Sequence, residues 1–142
     1  MQLSPSIFKA YDIRGIIDQT VDPSIAKLIG QAFGTEMREL GETEIVIGRD
    51  GRLSGPSLIE ALTEGLLSTG INVIDLGMVA TPMVYFAANH TIDGKTPKSG
   101  IMITGSHNPP NYNGFKMVLG TAAIYGEKIQ DLYKRIEAKK FT

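Results

Sequence analysis

The run Thr-Gly-Ser-His-Asn-Pro-Pro-Asn-Tyr-Asn-Gly-Phe-Lys, residues 104–116, gathers the side chains of this 142-residue chain best suited to chemistry. Ser106 and His107 stand among three asparagines, two prolines and two glycines, and the run ends at Lys116. Pro109 and Pro110 fix their own φ angles and restrict Asn108, while Asn111 and Asn113 can bond nearby backbone, so the loop is stiff. Stiffness lowers the ordering cost of placing one hydroxyl for reaction. A serine hydrolase would carry Gly-x-Ser-x-Gly and a histidine delivered from elsewhere. Here adjacent side chains diverge in extended backbone, so His107 is badly placed as the base for Ser106. The Walker pattern for nucleotide phosphates is absent. If the apolar runs on either side pair as neighbouring strands, the loop ends meet and Lys116 returns toward Ser106. A serine oxygen, a lysine and nearby amides then make a phosphate site. On these residues alone, a rigid structural turn stays open as the plain alternative.

The elements that must position this loop are legible as an alternation. Asp22-Pro23 is a helix start, followed by Ile25, Leu28, Ile29, Ala32, Phe33 and Leu40 at nearly helical spacing. Glu44 to Gly48 reads as a short strand ending at Arg49-Asp50-Gly51-Arg52. A second helix begins at Ser54 or at Ser57, where Ser57 and Glu60 fit a capping box, and stops near Gly70. Ile71 to Leu76 is the next strand, Pro82 to about Asn89 a helix, and Gly100 to Thr104 a buried strand. Phe115 to Leu119 is a strand with Phe115, Met117 and Leu119 on one face and Lys116 on the other, and Glu127 to Lys140 is an amphipathic helix. The pattern predicts an α/β domain of three layers, α/β/α, on a mixed, mainly parallel sheet. In such sheets, sites collect beyond the carboxyl ends of strands. Arg49-Asp50, Gly77 to Thr81 and the loop from Thr104 fall there.

Bulk properties bound the setting. The length fits one domain able to bury roughly two-thirds of its unfolded surface. The formal net charge of −1, with both signs interspersed, offers no field to nucleic acid or an anionic membrane, so any anion must be bound locally. The absence of cysteine removes disulfides, thiolate metal sites and cysteine nucleophiles. The start lacks the features of a signal peptide and no apolar run approaches a membrane span, which makes cytoplasm the default expectation.

The loop Thr104 to Lys116 resembles the active-serine loop of the α-D-phosphohexomutases, most closely the bacterial phosphomannomutase/phosphoglucomutase branch. Phe8 to Gly15 (FKAYDIRG), Ile47 to Gly55 (IGRDGRLSG) and Gly77 to Pro82 (GMVATP) are similar to further family motifs in the same order. The resemblance implies reversible movement of phosphate between C1 and C6 of a hexose. Phosphate on Ser106 would pass to the free hydroxyl of a bound hexose phosphate, giving a 1,6-bisphosphate that reorients and returns its other phosphate. It further implies Mg²⁺ bound through the phosphoserine oxygen, glucose 1,6-bisphosphate as activator, and hexose phosphates as partners.

Residue by residue, the resemblance makes Ser106 the phosphoryl carrier and Lys116 the cation at the transferring phosphate. For Lys116 to serve as acid or base its pKa would have to fall well below about 10; the plain alternative is a solvated lysine. Arg14 corresponds to the arginine beside the phosphoserine, with an ion pair to Asp12 as its alternative. Tyr11 would shape the pocket, and His107 and Asn108 would bond the phosphate or fix the loop. Arg49 and Asp50 are expected to be a structural pair that organises the loops, and His90 a surface residue. The family has four domains, of which this chain holds the first, residues 1–142. The acidic metal triplet and the sugar and phosphate loops of later domains have no match in it, so the isolated chain is expected to be inactive. Two other readings stay open: a non-catalytic module that binds a phosphorylated ligand, and a serine hydrolase.

Overall fold

The computed structural model describes residues 3–9, 12–89, 96–105, 108–109, 111–120, 122–123 and 126–139. A 3-10 turn, Pro5–Ile7, precedes strand β1 (Ile13–Ile16). Then follow α1 (Pro23–Glu39), β2 (Glu44–Arg49), α2 (Gly55–Ser68), β3 (Asn72–Met78) and α3 (Thr81–Ala88). The chain continues through β4 (Gly100–Ile103), β5 (Tyr112–Leu119), β6 (Ala122–Ala123) and α4 (Glu127–Ala138). Asp22 caps α1: its Oδ1 accepts from the Ile25 amide at 2.9 Å and from the Ser24 hydroxyl at 2.6 Å. Pro23 takes the first turn, where no N–H is needed. The capping box of Ser57 and Glu60 does not start α2. The helix begins at Gly55 with Pro56 in its first turn, so Ser57 already lies inside it and donates to the Ser54 carbonyl at 3.2 Å.

The sheet has the order β1-β5-β4-β2-β3, with β6 paired to β5. β2 runs parallel to β3 and β4, while β5 is antiparallel to β4, β1 and β6. The sheet is therefore mixed and mainly parallel in direction, with β5 alone reversed. Alternation along the strands sorts its two faces. One buries Ile13, Ile47, Ile101, Ile103 and Phe115 against Ile25 and Phe33 of α1, Leu62 of α2 and Ile129 of α4. The other buries Val46 and Met102 against Val84 and Ala88 of α3. Three layers result, as the alternation predicts.

The crossover β2-α2-β3 moves outward and β3-α3-β4 returns over β2, which puts α2 and α3 on opposite faces. β2 exits toward β3 and β4 toward β5, so the carboxyl ends of β2 and β4 flank a switch point. Three strands differ from the sequence reading, among them the two-residue β6, which was not anticipated. β1 was not anticipated, and β5 begins at Tyr112 because Asn113 and Gly114, poor strand formers, pair with Gly15 and Arg14. Among the described residues, no helix is long and apolar enough to cross a membrane.

Candidate functional site

The loop ends do meet. β4 and β5 are antiparallel neighbours, with Met102 opposite Lys116 and Ile103 opposite Phe115. The Thr104 amide continues the ladder to the Gly114 carbonyl at 2.9 Å. On the other side of β5, Arg14 pairs with Gly114. Residues two apart share a face, so Arg14, Lys116 and Thr104 all belong to the face that α3 covers. α3 packs mainly over β2 and β4, so among the described residues this part of the face, over β1 and β5, lies beside it and not under it. Arg14 and Lys116 are half-buried there, and neither side chain makes a hydrogen bond or ion pair with the described residues. The ion pair of Arg14 with Asp12 is accordingly not formed. Two partly desolvated cations without carboxylate partners among the described residues, level with the start of the loop, create a local demand for an anion.

Asp12, on the same side, is 8% exposed. Burial first, and then the Asp12 carboxylate, push the Tyr85 hydroxyl of α3 above its ordinary value of 10.0. Asn108 is described as part of the loop frame. Its amide and its Nδ2 both donate to the Gly105 carbonyl, at 3.0 and 2.8 Å. These bonds close the turn from Gly105 to Asn108. Ser106, His107 and Tyr11, and also His90, lie outside the described residues.

The pair that organises the loop is Asp50 with Arg52; Arg49 has no part in it. Asp50 Oδ2 accepts from the Thr104 hydroxyl at 2.8 Å and the Gly105 amide at 3.0 Å, while Oδ1 accepts from the Arg52 amide at 3.1 Å. Arg52 donates to the carbonyls of Pro109 at 2.6 Å, Asn108 at 2.7 Å and Tyr112 at 3.2 Å. Arg49 is in register with Ile103 and so takes the opposite face, its stem against Gly55 at the start of α2. The parity of the strand decides this: one residue after Gly48, a side chain must change sides. Sequence reasoning missed Arg52. The available signal was the pair of X-Pro peptides, whose carbonyls need donors from elsewhere.

The description "Phosphoglucomutase/phosphomannomutase, alpha/beta/alpha domain I" fits residues 5–142 of the chain. A phosphoglucomutase of Neisseria meningitidis serogroup B is 54% identical over 139 residues, which is 98% of this chain and 29% of that protein. A phosphomannomutase/phosphoglucomutase of Pseudomonas aeruginosa is 51% identical over 135 residues, 95% of this chain and 28% of its own length. The crystal structure of a phosphoglucomutase/phosphomannomutase family protein from Burkholderia thailandensis superposes with a TM-score of 0.95 at 56% identity, covering 99% of this chain and 31% of that one. The chain thus spans less than a third of the length of these relatives. With the family model running through to the last residue and the three layers shared with a solved member, the chain belongs to the phosphoglucomutase/phosphomannomutase family, as its alpha/beta/alpha domain I.

Proposed function

We propose that this chain is the phosphoserine domain of a phosphohexomutase that interconverts hexose 1-phosphates and hexose 6-phosphates, with Ser106 as carrier. The observation that carries the reading is the placement of Arg14 and Lys116, half-buried and without an ion pair among the described residues, on one face of the sheet beside the clamped start of the serine loop. Phosphoryl transfer needs in-line positioning and neutralisation of charge spreading over the phosphoryl oxygens more than covalent help. Lys116 would hold the transferring group as a point charge and Arg14 would grip two of its oxygens through its planar fork. His107 would bond the phosphate, and Tyr11 would wall the pocket.

In the first half-reaction the bond from Ser106 Oγ to phosphorus breaks and a bond forms from the sugar hydroxyl oxygen to phosphorus. The hydroxyl releases one proton and Ser106 Oγ takes one up, so the step is neutral in protons. The bisphosphate then turns end for end and the reverse step returns its other phosphate to Ser106. Octahedral Mg²⁺ takes six ligands, of which a phosphoserine oxygen supplies one. Among the described residues, no group of three His, Cys, Asp or Glu side chains could hold a metal ion. The described residues do not make a Mg²⁺ site by themselves, and carboxylates from the remainder of a longer polypeptide would complete it.

The test uses the full-length protein. After incubation with glucose 1,6-bisphosphate, its intact mass should rise by about one phosphate, mapped by peptide analysis to Ser106, and Ser106→Ala should neither take up phosphate nor turn over hexose phosphate. Phosphate on another residue overturns the assignment. Tight binding of hexose phosphate without any phosphate uptake would instead make this a non-catalytic binding module.

A further inference from the structure

We propose that Asp50 and Arg52 are positioning residues for the reaction, a clamp at the end of β2 that sets Ser106 by holding the loop on both sides of it. The proposal rests on the phosphoserine reading above. Asp50 holds the two residues before Ser106, Thr104 and Gly105, and Arg52 holds Asn108, Pro109 and Tyr112 after it. The clamp is itself tied to the sheet, since the Asp50 amide donates to the Ile103 carbonyl at 3.0 Å. Both flanks of the serine are thus referred to one point on the strand pair β2 and β4.

The chemistry of the two residues matches what the loop offers. The carbonyls of Asn108 and Pro109 belong to peptide groups whose nitrogens are those of Pro109 and Pro110, so these groups carry acceptors and no donor. A guanidinium has several N–H donors in a fixed fork and no acceptor. It can span several carbonyls at once, as an ammonium point charge cannot. Gly105 permits the approach: a Cβ there would run into Arg52 Cζ and Nε, so the guanidinium lies directly against the loop backbone. Arg52 Nε stands 3.5 Å from Asp50 Oδ2, with the side chains only 16% and 26% exposed, which keeps the pair largely out of solvent screening. Thr104 and Gly105 on one side and three carbonyls on the other are held by groups that also hold each other. In-line transfer is sensitive to displacement of the carrier oxygen, and a shift of about 1 Å can cost on the order of a hundredfold.

The experiment compares wild type, Arg52→Met, Arg52→Lys, Arg52→Ala and Asp50→Asn in the full-length protein, with Ser106→Ala as control and glucose 1-phosphate as substrate. Arg52→Met and Arg52→Lys should lower kcat by about a hundredfold while KM stays within about threefold, because the clamp acts on the carrier and not on the sugar. Added guanidinium ion should restore part of the kcat of Arg52→Ala and none of that of Ser106→Ala. A kcat within about twofold of wild type in both Arg52→Lys and Asp50→Asn overturns the proposal, as does a change confined to KM. If Arg52→Met does not fold, those two variants decide the matter. If wild type carries no phosphate on Ser106, the functional reading falls separately. Amide hydrogen exchange then decides the clamp: faster exchange at Gly105 and Asn108 in Arg52→Lys supports it, and unchanged rates overturn it.

Discussion

Lys116 and Arg14 owe their setting to parity. Lys116 lies between Phe115 and Met117, both buried on the opposite face, so any residue at position 116 must point to the face on which α3 packs. Lys116→Met keeps the stem and removes the charge, and because the side chain is only half-buried and makes no ion pair with the described residues, the fold should survive. Turnover of the full-length protein should fall by about a hundredfold, the scale of losing one group that stabilises transition-state charge. Full activity in that variant would make Lys116 a solvated surface lysine. At this scale the sequence disclosed some residues and concealed others. Lys116 was legible because strand parity and the loop's length are local properties. Arg52 was not, because its partners are backbone carbonyls 56 to 60 residues away, which leave no mark in the side-chain pattern. The Arg49-Asp50 pairing failed for a related reason: neighbours in sequence leave a strand on opposite sides.

Among the elements, α1 and α4 and the strands β2 and β4 follow from periodicity and capping, and what the sequence hid was contact between elements. α1 and α2 touch backbone to backbone where Gly30 meets Gly65. A Cβ on Gly65 would run into the Lys27 carbonyl and lie 3.0 Å from the Gln31 nitrogen. Gly65→Ala should therefore destabilise the chain by about 1–3 kcal/mol through overpacking, despite the better helix propensity of alanine, as read by chemical denaturation. A stability equal to wild type would mean that the helices can separate without cost. The start of α1 gives a test in pH. Burial alone would raise the Asp22 carboxyl, but the Ser24 hydroxyl and the Ile25 amide outweigh it and hold the group below its ordinary value of 3.8. A depressed native pKa stabilises the fold above the unfolded value, and that contribution is lost as pH falls through the native value. Asp22→Ala should cost about 1 kcal/mol at neutral pH. The gap from wild type should close progressively as pH drops below 3.8. β1 escaped notice because Ile13–Ile16 is too short to show alternation and is defined by its pairing with β5.

For the whole molecule, the balance lies between a complete core and an incomplete site. A continuous apolar cluster links the 3-10 turn, α1, α2, α4 and the sheet, and among the described residues no buried side-chain nitrogen or oxygen lacks a partner. Arg135 of α4 adds ion pairs to Glu36 at 3.0 Å and Glu39 at 2.8 Å, joining the last helix to α1. A domain of this length with its own core should unfold cooperatively by itself. Its cations Arg14 and Lys116, however, share one face beside the start of the serine loop, and nothing among the described residues gathers the carboxylates that a divalent ion requires. On the proposed phosphohexomutase reading, metal, sugar and phosphate would have to be fixed together, and the chain covers 29% of the length of a relative such as the Neisseria phosphoglucomutase. The isolated chain should therefore give a single sharp thermal transition and no steady turnover in a coupled assay with glucose 1-phosphate, Mg²⁺ and glucose 1,6-bisphosphate. Mg²⁺ titration should leave its melting temperature unchanged, since a ligand stabilises only in proportion to its occupancy of the folded state. Sustained turnover by this chain alone would show that Ser106, Lys116 and Arg14 need no further residues, and would place the whole reaction on this one face.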